Sequence, residues 1–136
     1  MMNEVFMPMQ VSASALEAQK TRLNVIASNI ANASSTKTPE GGPYKRKDVL
    51  FQTVMYGENA AGVEAPQVVE DKSPFRTVYD PNHPDADKNG YVSYPNINVL
   101  TEMVNLMTAQ RSYEANLTMI TSYKDMYMRT LDILKV

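Results

Sequence analysis

A single long helix is predicted by residues 99–136, VLTEMVNLMTAQRSYEANLTMITSYKDMYMRTLDILKV, which contain neither glycine nor proline. At ~1.5 Å per residue this helix would be roughly 55 Å long, whereas the usual helix has about 11 or 12 residues. Asn98 stands where it can cap the helix, and Glu102 lies in the first turn, where the helix dipole favours an anion.

The same segment carries a heptad repeat in two columns, beginning at Val99 and Met103. Nine of its eleven positions are apolar or aromatic, and Gln110 and Lys124 interrupt it. A repeat of 3.5 residues sustained over about five heptads predicts a coiled coil. The predicted seam on this helix comprises Val99, Met103, Leu106, Tyr113, Leu117, Ile120, Tyr127, Leu131 and Leu134.

Further apolar residues of the helix lie outside that seam, among them Leu100, Met107 and Met128. A helix in a two-stranded coil would expose them to water. Exposed apolar area of that extent marks an interface. The helix is therefore predicted to pack against more than one neighbour.

A second, weaker helix is predicted for residues 12–33, which also lack glycine and proline. Ser14 and Glu17 fit a capping box, which predicts a helix start near Ser14. This helix is too weakly apolar to be stable alone in water, so we expect it to pair with the C-terminal helix. Its predicted seam comprises Leu16, Leu23, Ile26 and Ile30.

The middle of the chain, residues 34–98, holds all five glycines and seven of the eight prolines. Short strands are predicted near 44–56, 67–70, 75–79 and 91–94, with a mobile loop over 57–66. The predicted fold is mainly α with a small β-rich insert, its terminal helices paired as an antiparallel coiled-coil hairpin. The predicted division is 1–33, 34–98 and 99–136; a three-helix bundle is the alternative, which the prolines and strand patterns disfavour.

Composition excludes several functional classes. With 13 basic and 15 acidic residues the net charge is −2, so no basic surplus favours nucleic acid. No cysteine is present, and no apolar run approaches the ~20 residues that span a bilayer. The first residues lack the pattern of a cleaved secretory signal.

No catalytic, cofactor-binding or metal-binding residues are predicted. Asp85, Asp87 and Asn89 match the opening of a calcium loop, but Asn96 stands where its bidentate glutamate belongs. A turn leading into a strand at Tyr91 is the favoured interpretation, and a weak cation site is the alternative. His83 is the single histidine, and without a cysteine or a second histidine the sequence does not favour a zinc site.

Two segments resemble the bacterial flagellar basal-body rod protein family. Residues 15–33, ALEAQKTRLNVIASNIANA, are similar to its N-terminal signature, and residues 102–120, EMVNLMTAQRSYEANLTMI, to its C-terminal one. The matching positions are Ser28, Asn29, Ile30, Ala31, Asn32, Asn105, Gln110, Arg111, Tyr113, Glu114 and Asn116. The long run over 34–44 and the segment YDPNHPDADKNGYVSYPNINV (79–99) resemble the proximal type of rod protein.

The resemblance implies a structural axial subunit and not an enzyme. Such subunits leave the cell uncleaved through the flagellar type III export apparatus and assemble helically in the periplasm, where the rod transmits torque. The implied partners are other rod subunits, the adaptor at the rod base and copies of the chain itself. Alternative interpretations are another axial subunit of the distal rod or hook type and a calcium-dependent binding module.

Overall fold

A computed structural model of the chain describes residues 2–58 and 60–134. Within these residues two long helices enclose four strands. The elements are α1 Met2–Ala31, β1 Lys47–Met55, β2 Ala61–Glu70, β3 Arg76–Tyr79, β4 Tyr91–Tyr94 and α2 Val99–Leu134. The predicted fold class, a helical hairpin with a small β insert, is confirmed.

The start of α2 is fixed by its cap. The side-chain oxygen of Asn98 accepts hydrogen bonds from the N–H groups of Leu100 (3.0 Å) and Thr101 (3.2 Å), two of the donors that a helix start leaves unpaired. The helix then runs for 36 residues, about 54 Å at ~1.5 Å per residue. The last two residues of the predicted helix lie outside the described part of the chain.

The start of α1 differs from the prediction, because the helix begins at Met2 and continues through Pro8. Ser14 is not a cap: its hydroxyl donates to the carbonyl of Val11 (2.8 Å) and accepts from the N–H of Val63 in β2 (3.1 Å). Tertiary contacts on both sides of α1 therefore override the local capping pattern and the helix-breaking tendency of proline.

The two helices are antiparallel. The ring of Phe6 lies 5.8 Å from that of Tyr127 near one end, and Asn29 bonds to Glu102 at the other. Within the described residues, α2 packs against α1 and against none of the strands. One side of α2 is therefore covered by α1, Arg46 of the insert reaches its first turn at Glu102, and most of its other surface is exposed.

The insert consists of two separate antiparallel hairpins. β1 pairs with β2 from Lys47↔Glu70 to Met55↔Ala61, with a bulge between Leu50 and Gln52. β3 pairs with β4 from Arg76↔Tyr94 to Tyr79↔Tyr91. The predicted mobile loop over 57–66 is wrong in its second half, because residues 61–64 pair with β1 and the strand continues to Glu70.

Of the two hairpins, as far as the structure describes them, β1–β2 packs on α1 and β3–β4 does not. Gly62 permits its close approach: a Cβ there would overlap the Tyr56 ring and lie 2.6 Å from the hydroxyl oxygen of Ser14. The buried apolar set is small and made of small or medium side chains. It comprises Ala18, Ile26, Tyr44, Val49, Ala60, Val92 and Ala109.

Candidate assembly faces and the polar junction

A buried polar site lies where the end of α1, the start of β1 and the first turn of α2 meet. Asn29 is fully buried near the end of α1. Its side chain hydrogen-bonds to the backbone of Lys47 at the start of β1. Its Oδ1 accepts the N–H of Lys47 (2.9 Å), and its Nδ2 donates to the carbonyl of Lys47 (2.7 Å). This pairing imitates a strand neighbour and satisfies both backbone groups of Lys47.

Asn29 also binds two side chains. Its Nδ2 donates to Oε2 of Glu102 in the first turn of α2 (3.1 Å), and its Oδ1 accepts from the hydroxyl of Tyr44 (3.3 Å). The Asn29 amide thus makes four hydrogen bonds, two to Lys47 and one each to Glu102 and Tyr44, and both of its N–H donors are used. The Asn29 side chain therefore joins both helices to the insert. We call Asn29, Tyr44, Arg46, Lys47 and Glu102 the polar junction.

Glu102 is 1% exposed and would be a costly buried charge without a cation. Arg46 supplies it: Nε donates to Oε1 of Glu102 at 2.8 Å, while Nη1 donates to Asp48 at 3.1 Å. Burial works against the charged guanidinium, but the hydrogen bonds to Glu102 and Asp48 outweigh it and raise the pKa of Arg46 above its ordinary value. Arg46 therefore keeps its positive charge near neutral pH.

The junction continues toward the second hairpin. The N–H of Arg46 donates to Oδ1 of Asn96 (3.2 Å), whose amide donates to the carbonyl of Ser73 (3.2 Å). Asp71 lies 3.5 Å from Nη1 of Arg46, and the Ser73 hydroxyl and N–H, which bind it, lower the pKa of Asp71. These bonds tie the loops on either side of β1–β2 to the start of α2.

The inward face of α2 is built from two heptad columns. One is the predicted column of Leu106, Tyr113, Ile120 and Tyr127, which are all half-buried. The other begins at Glu102 and continues through Ala109, which is 0% exposed, and the half-buried Asn116 and Tyr123. The small side chain of Ala109 leaves room for α1 to pack closely against this column.

The other predicted column lies off this face. Met103 and Leu117 are 52% and 46% exposed, Gln110 and Lys124 are exposed, and only Leu131 is half-buried. Val99 and Leu134, at the two helix ends, are also exposed. The inward face is thus rotated from the predicted seam by one heptad column. The Leu106 column is shared, but α1 packs on the column of Glu102 and Ala109 instead of the column of Met103 and Leu117.

On α1, the four predicted seam residues lie within the fold. Ile26 is buried, at 5% exposure, and Leu16, Leu23 and Ile30 are half-buried. Leu16 and Lys20 line a shallow groove beside Tyr113 of α2. The predicted seam of α1 is therefore at least partly enclosed by the fold. Contact of these residues with other subunits stays a prediction.

The signature residues divide into two groups. The N-terminal group makes hydrogen bonds at the end of α1. The Ser28 hydroxyl bonds to the Tyr44 hydroxyl at 3.2 Å, and the amide of Asn32 donates to the carbonyl of Ser28 at 2.8 Å. The C-terminal group is partly outward, since Gln110, Arg111 and Glu114 are exposed. The remaining signature residues are Ile30, Asn105, Tyr113 and Asn116, half-buried, and Ala31, exposed.

The calcium-like segment forms a turn. Oδ1 of Asp87 accepts the N–H groups of Asn89 (2.8 Å) and Tyr91 (2.9 Å), and Asp85 accepts the hydroxyl of Thr36 (2.8 Å). The turn therefore leads into β4 as predicted. Within residues 2–58 and 60–134, no three His, Cys, Asp or Glu side chains are grouped as a metal site, and neither helix has the length and hydropathy of a bilayer-spanning segment.

Sequence reasoning missed the polar junction. The sequence places Glu102 only at the helix dipole, and no local pattern pairs it with Arg46. Their partnership spans 56 positions in the chain, so no local pattern could reveal it. Asn29 was named for its place in the signature, which was the one available indication.

Comparison with known proteins places this geometry in a family. Residues 9–37 match the family described as "Flagella basal body rod protein", and residues 88–133 match "Flagellar basal body rod FlgEFG protein C-terminal". These two segments contain most of α1 and nearly all of α2, the elements that form the hairpin and the outward face.

Whole-chain relatives agree. The flagellar basal-body rod protein FlgC of Salmonella typhimurium is 47% identical over 124 residues, 90% of this chain and 92% of that protein. FlgC of Bacillus subtilis is 42% identical over 94% of this chain and 97% of its own length, and FlgC of Borreliella burgdorferi is 40% identical over 96% and 98%. The chain therefore belongs to the FlgC family of flagellar basal-body rod proteins.

Proposed function

We propose that the chain is a structural subunit of the proximal flagellar rod and that neighbouring subunits cover the outward face of α2. The observation that carries this proposal is the amount of apolar surface that the single chain leaves in water. Large apolar side chains are half or more exposed along the whole of α2, although each would gain free energy by burial. They include Leu100, Met103, Val104, Met107, Met119, Met126, Met128, Ile133 and Leu134.

The positions of these residues support several neighbours instead of one. Met103 lies on one side of the inward face, and Met119 and Met126 lie on the other, while Leu100 and Val104 point away from α1. A single partner helix would cover one such stripe. Coverage from several directions is what a helical assembly of like subunits provides.

The polar junction supports a role in transmitting torque. An ion pair and a fully bonded amide fix the angle between β1 and both helices, so that load on the insert passes to the helical layer. Satisfied buried polar networks rigidify and specify one arrangement. Such a role depends on contacts and stiffness, and it requires no turnover chemistry.

The proposed partners are other rod subunits, the adaptor at the rod base and further copies of the chain. The proposed location is the basal body, with assembly in the periplasm after uncleaved export through the flagellar type III apparatus. Family membership supports these partners and this route. Co-purification of the chain with isolated hook–basal bodies checks the location.

A charge on the outward face tests the assembly role. Leu117→Asp should leave the monomer folded, because Leu117 is already 46% exposed, and should abolish swimming in a strain that depends on this chain, because assembly would bury an unpaired charge. Gln52→Asp is the matched control, since it adds the same charge at an exposed position of β1, which does not pack on α2. Normal swimming of the Leu117→Asp strain would refute the proposal.

A further inference from the structure

Five exposed methionines lie on α2 and no cysteine is present anywhere in the chain. Met103, Met107, Met119, Met126 and Met128 are between 51% and 58% exposed. By contrast, Met7 and Met9 of α1 are half-buried. Among the side chains that the structure describes, five of the six exposed methionines therefore lie on the helix whose surface is left uncovered, and the sixth is Met55 of β1.

The five methionines flank the inward face of α2 on both sides. In the heptad frame set by Leu106 and Ala109, Met103 lies beside one edge of that face, with Met107 and Met128 in the next column outward. Met119 and Met126, seven residues apart, share the column beside the other edge. A chemical change at these sulfurs would therefore alter both flanks along which a neighbouring helix could pack.

We propose that these five methionines are a reversible oxidation site, at which hydrogen peroxide switches the chain from an assembling to a non-assembling form. The thioether sulfur attacks one oxygen of the peroxide, the O–O bond breaks and an S=O bond forms. Sulfur loses two electrons, and the second oxygen leaves as water. Methionine sulfoxide reductases reverse the change with electrons from a thiol.

The monomer should tolerate this change because the affected side chains are solvated. A sulfoxide at an exposed position keeps its hydrogen bonds to water, and none of the five residues lies on the face that α1 covers. In a subunit interface the same group would be a polar acceptor buried without a donor, which is unfavourable. This inference rests on the proposed function, since it requires that neighbours cover the outward face.

The experiment treats the purified full chain with hydrogen peroxide and measures two properties. Mass spectrometry of peptides locates each added oxygen, about 16 Da per sulfoxide, and sedimentation velocity over a concentration series measures self-association. We expect the five α2 methionines to oxidise before Met7 and Met9, far-UV circular dichroism to stay unchanged, and association to weaken at least tenfold. Methionine sulfoxide reductase should restore association.

Two variants provide matched controls. Replacing all five α2 methionines with leucine, which conserves volume and apolar character, should give a chain whose association survives peroxide. Met55→Leu removes the 59% exposed methionine of β1, which lies away from α2, and should leave the sensitivity to peroxide unchanged.

The outcomes separate this inference from the proposed function. If the untreated chain associates and the oxidised chain associates equally well, the oxidation site is refuted and the assembly role stands. If the five-leucine variant loses association in peroxide as the parent does, the site lies elsewhere and the inference also fails. An untreated chain that stays monomeric at high concentration would count against both.

Discussion

Asn29 near the end of α1 donates a hydrogen bond to Oε2 of Glu102 in the first turn of α2, across 3.1 Å and 73 positions of sequence. The same amide is bonded to both backbone groups of Lys47 at the start of β1. A single side chain therefore sets the relation of three elements. The helical hairpin closes around this polar contact, while its apolar surface remains largely on the outside.

Removal of Asn29 should destabilise the chain more than its size suggests. Asn29→Ala leaves the N–H and carbonyl of Lys47 without their side-chain partner and takes one donor from the buried Glu102. Each unsatisfied buried group costs about 1–3 kcal/mol, so we expect a loss of roughly 2–4 kcal/mol in the free energy of unfolding by urea titration. Asn24→Ala, at an exposed position of the same helix, should change it by less than about 0.5 kcal/mol.

The Arg46–Glu102 pair should show strong coupling in a double-mutant cycle. Arg46→Met strands the carboxylate of Glu102, which is 1% exposed, and should cost about 3–5 kcal/mol. Adding Glu102→Met removes that stranded charge, so the double variant should be more stable than Arg46→Met alone. Additive losses in thermal or urea unfolding would contradict a coupled buried pair.

An exposed ion pair of the same insert gives the comparison for that cycle. Lys45 and Glu70 lie 3.0 Å apart, but their side chains are 54% and 49% exposed. Removing either partner should cost at most about 1 kcal/mol because water screens the pair. A cost equal to that of Arg46→Met would show that burial does not set the strength of the pair.

A methyl group at Gly62 should loosen the β1–β2 hairpin from α1. In Gly62→Ala the new Cβ overlaps the Tyr56 ring and meets the hydroxyl of Ser14, and overpacking of this kind costs about 1–3 kcal/mol. Faster amide exchange at Val63, whose N–H binds Ser14, would report the separation directly. In a Tyr56→Ala background the same substitution should cost less, and an equal cost there would exclude the ring as its cause.

The amide protons in the C-terminal part of α2, from Ala109 to Leu134, should be weakly protected from exchange in the monomer. Burial is concentrated around Glu102 and Ala109, and within the described residues nothing beyond Ala109 on this helix is fully buried. Local opening is easiest where few apolar groups are enclosed, so amide exchange at low micromolar concentration should accelerate from Ala109 toward Leu134. Uniformly slow exchange over 99–134 would show that the helix is stable without neighbours.

The sequence alone predicted the elements that local chemistry controls. Absence of glycine and proline, the Asn98 cap and the seven-residue spacing of Leu106, Tyr113 and Ile120 predicted α2 and one of its inward columns. The turn at Asp87 was predicted for the same reason, since its hydrogen bonds join residues at most four positions apart. The signature segments predicted the family, which the comparisons show.

The tertiary structure decided which face of α2 is enclosed and where α1 begins. Met103 and Leu117 had the stronger apolar pattern, yet α1 packs on the column of Glu102 and Ala109, because Arg46 and Asn29 neutralise and bond the carboxylate and the alanine permits close approach. Ser14 matches the pattern of a helix cap, but its hydroxyl oxygen instead accepts a hydrogen bond from the N–H of Val63 in β2. These outcomes depend on groups that meet only after the chain has folded, and no local window of the sequence contains them.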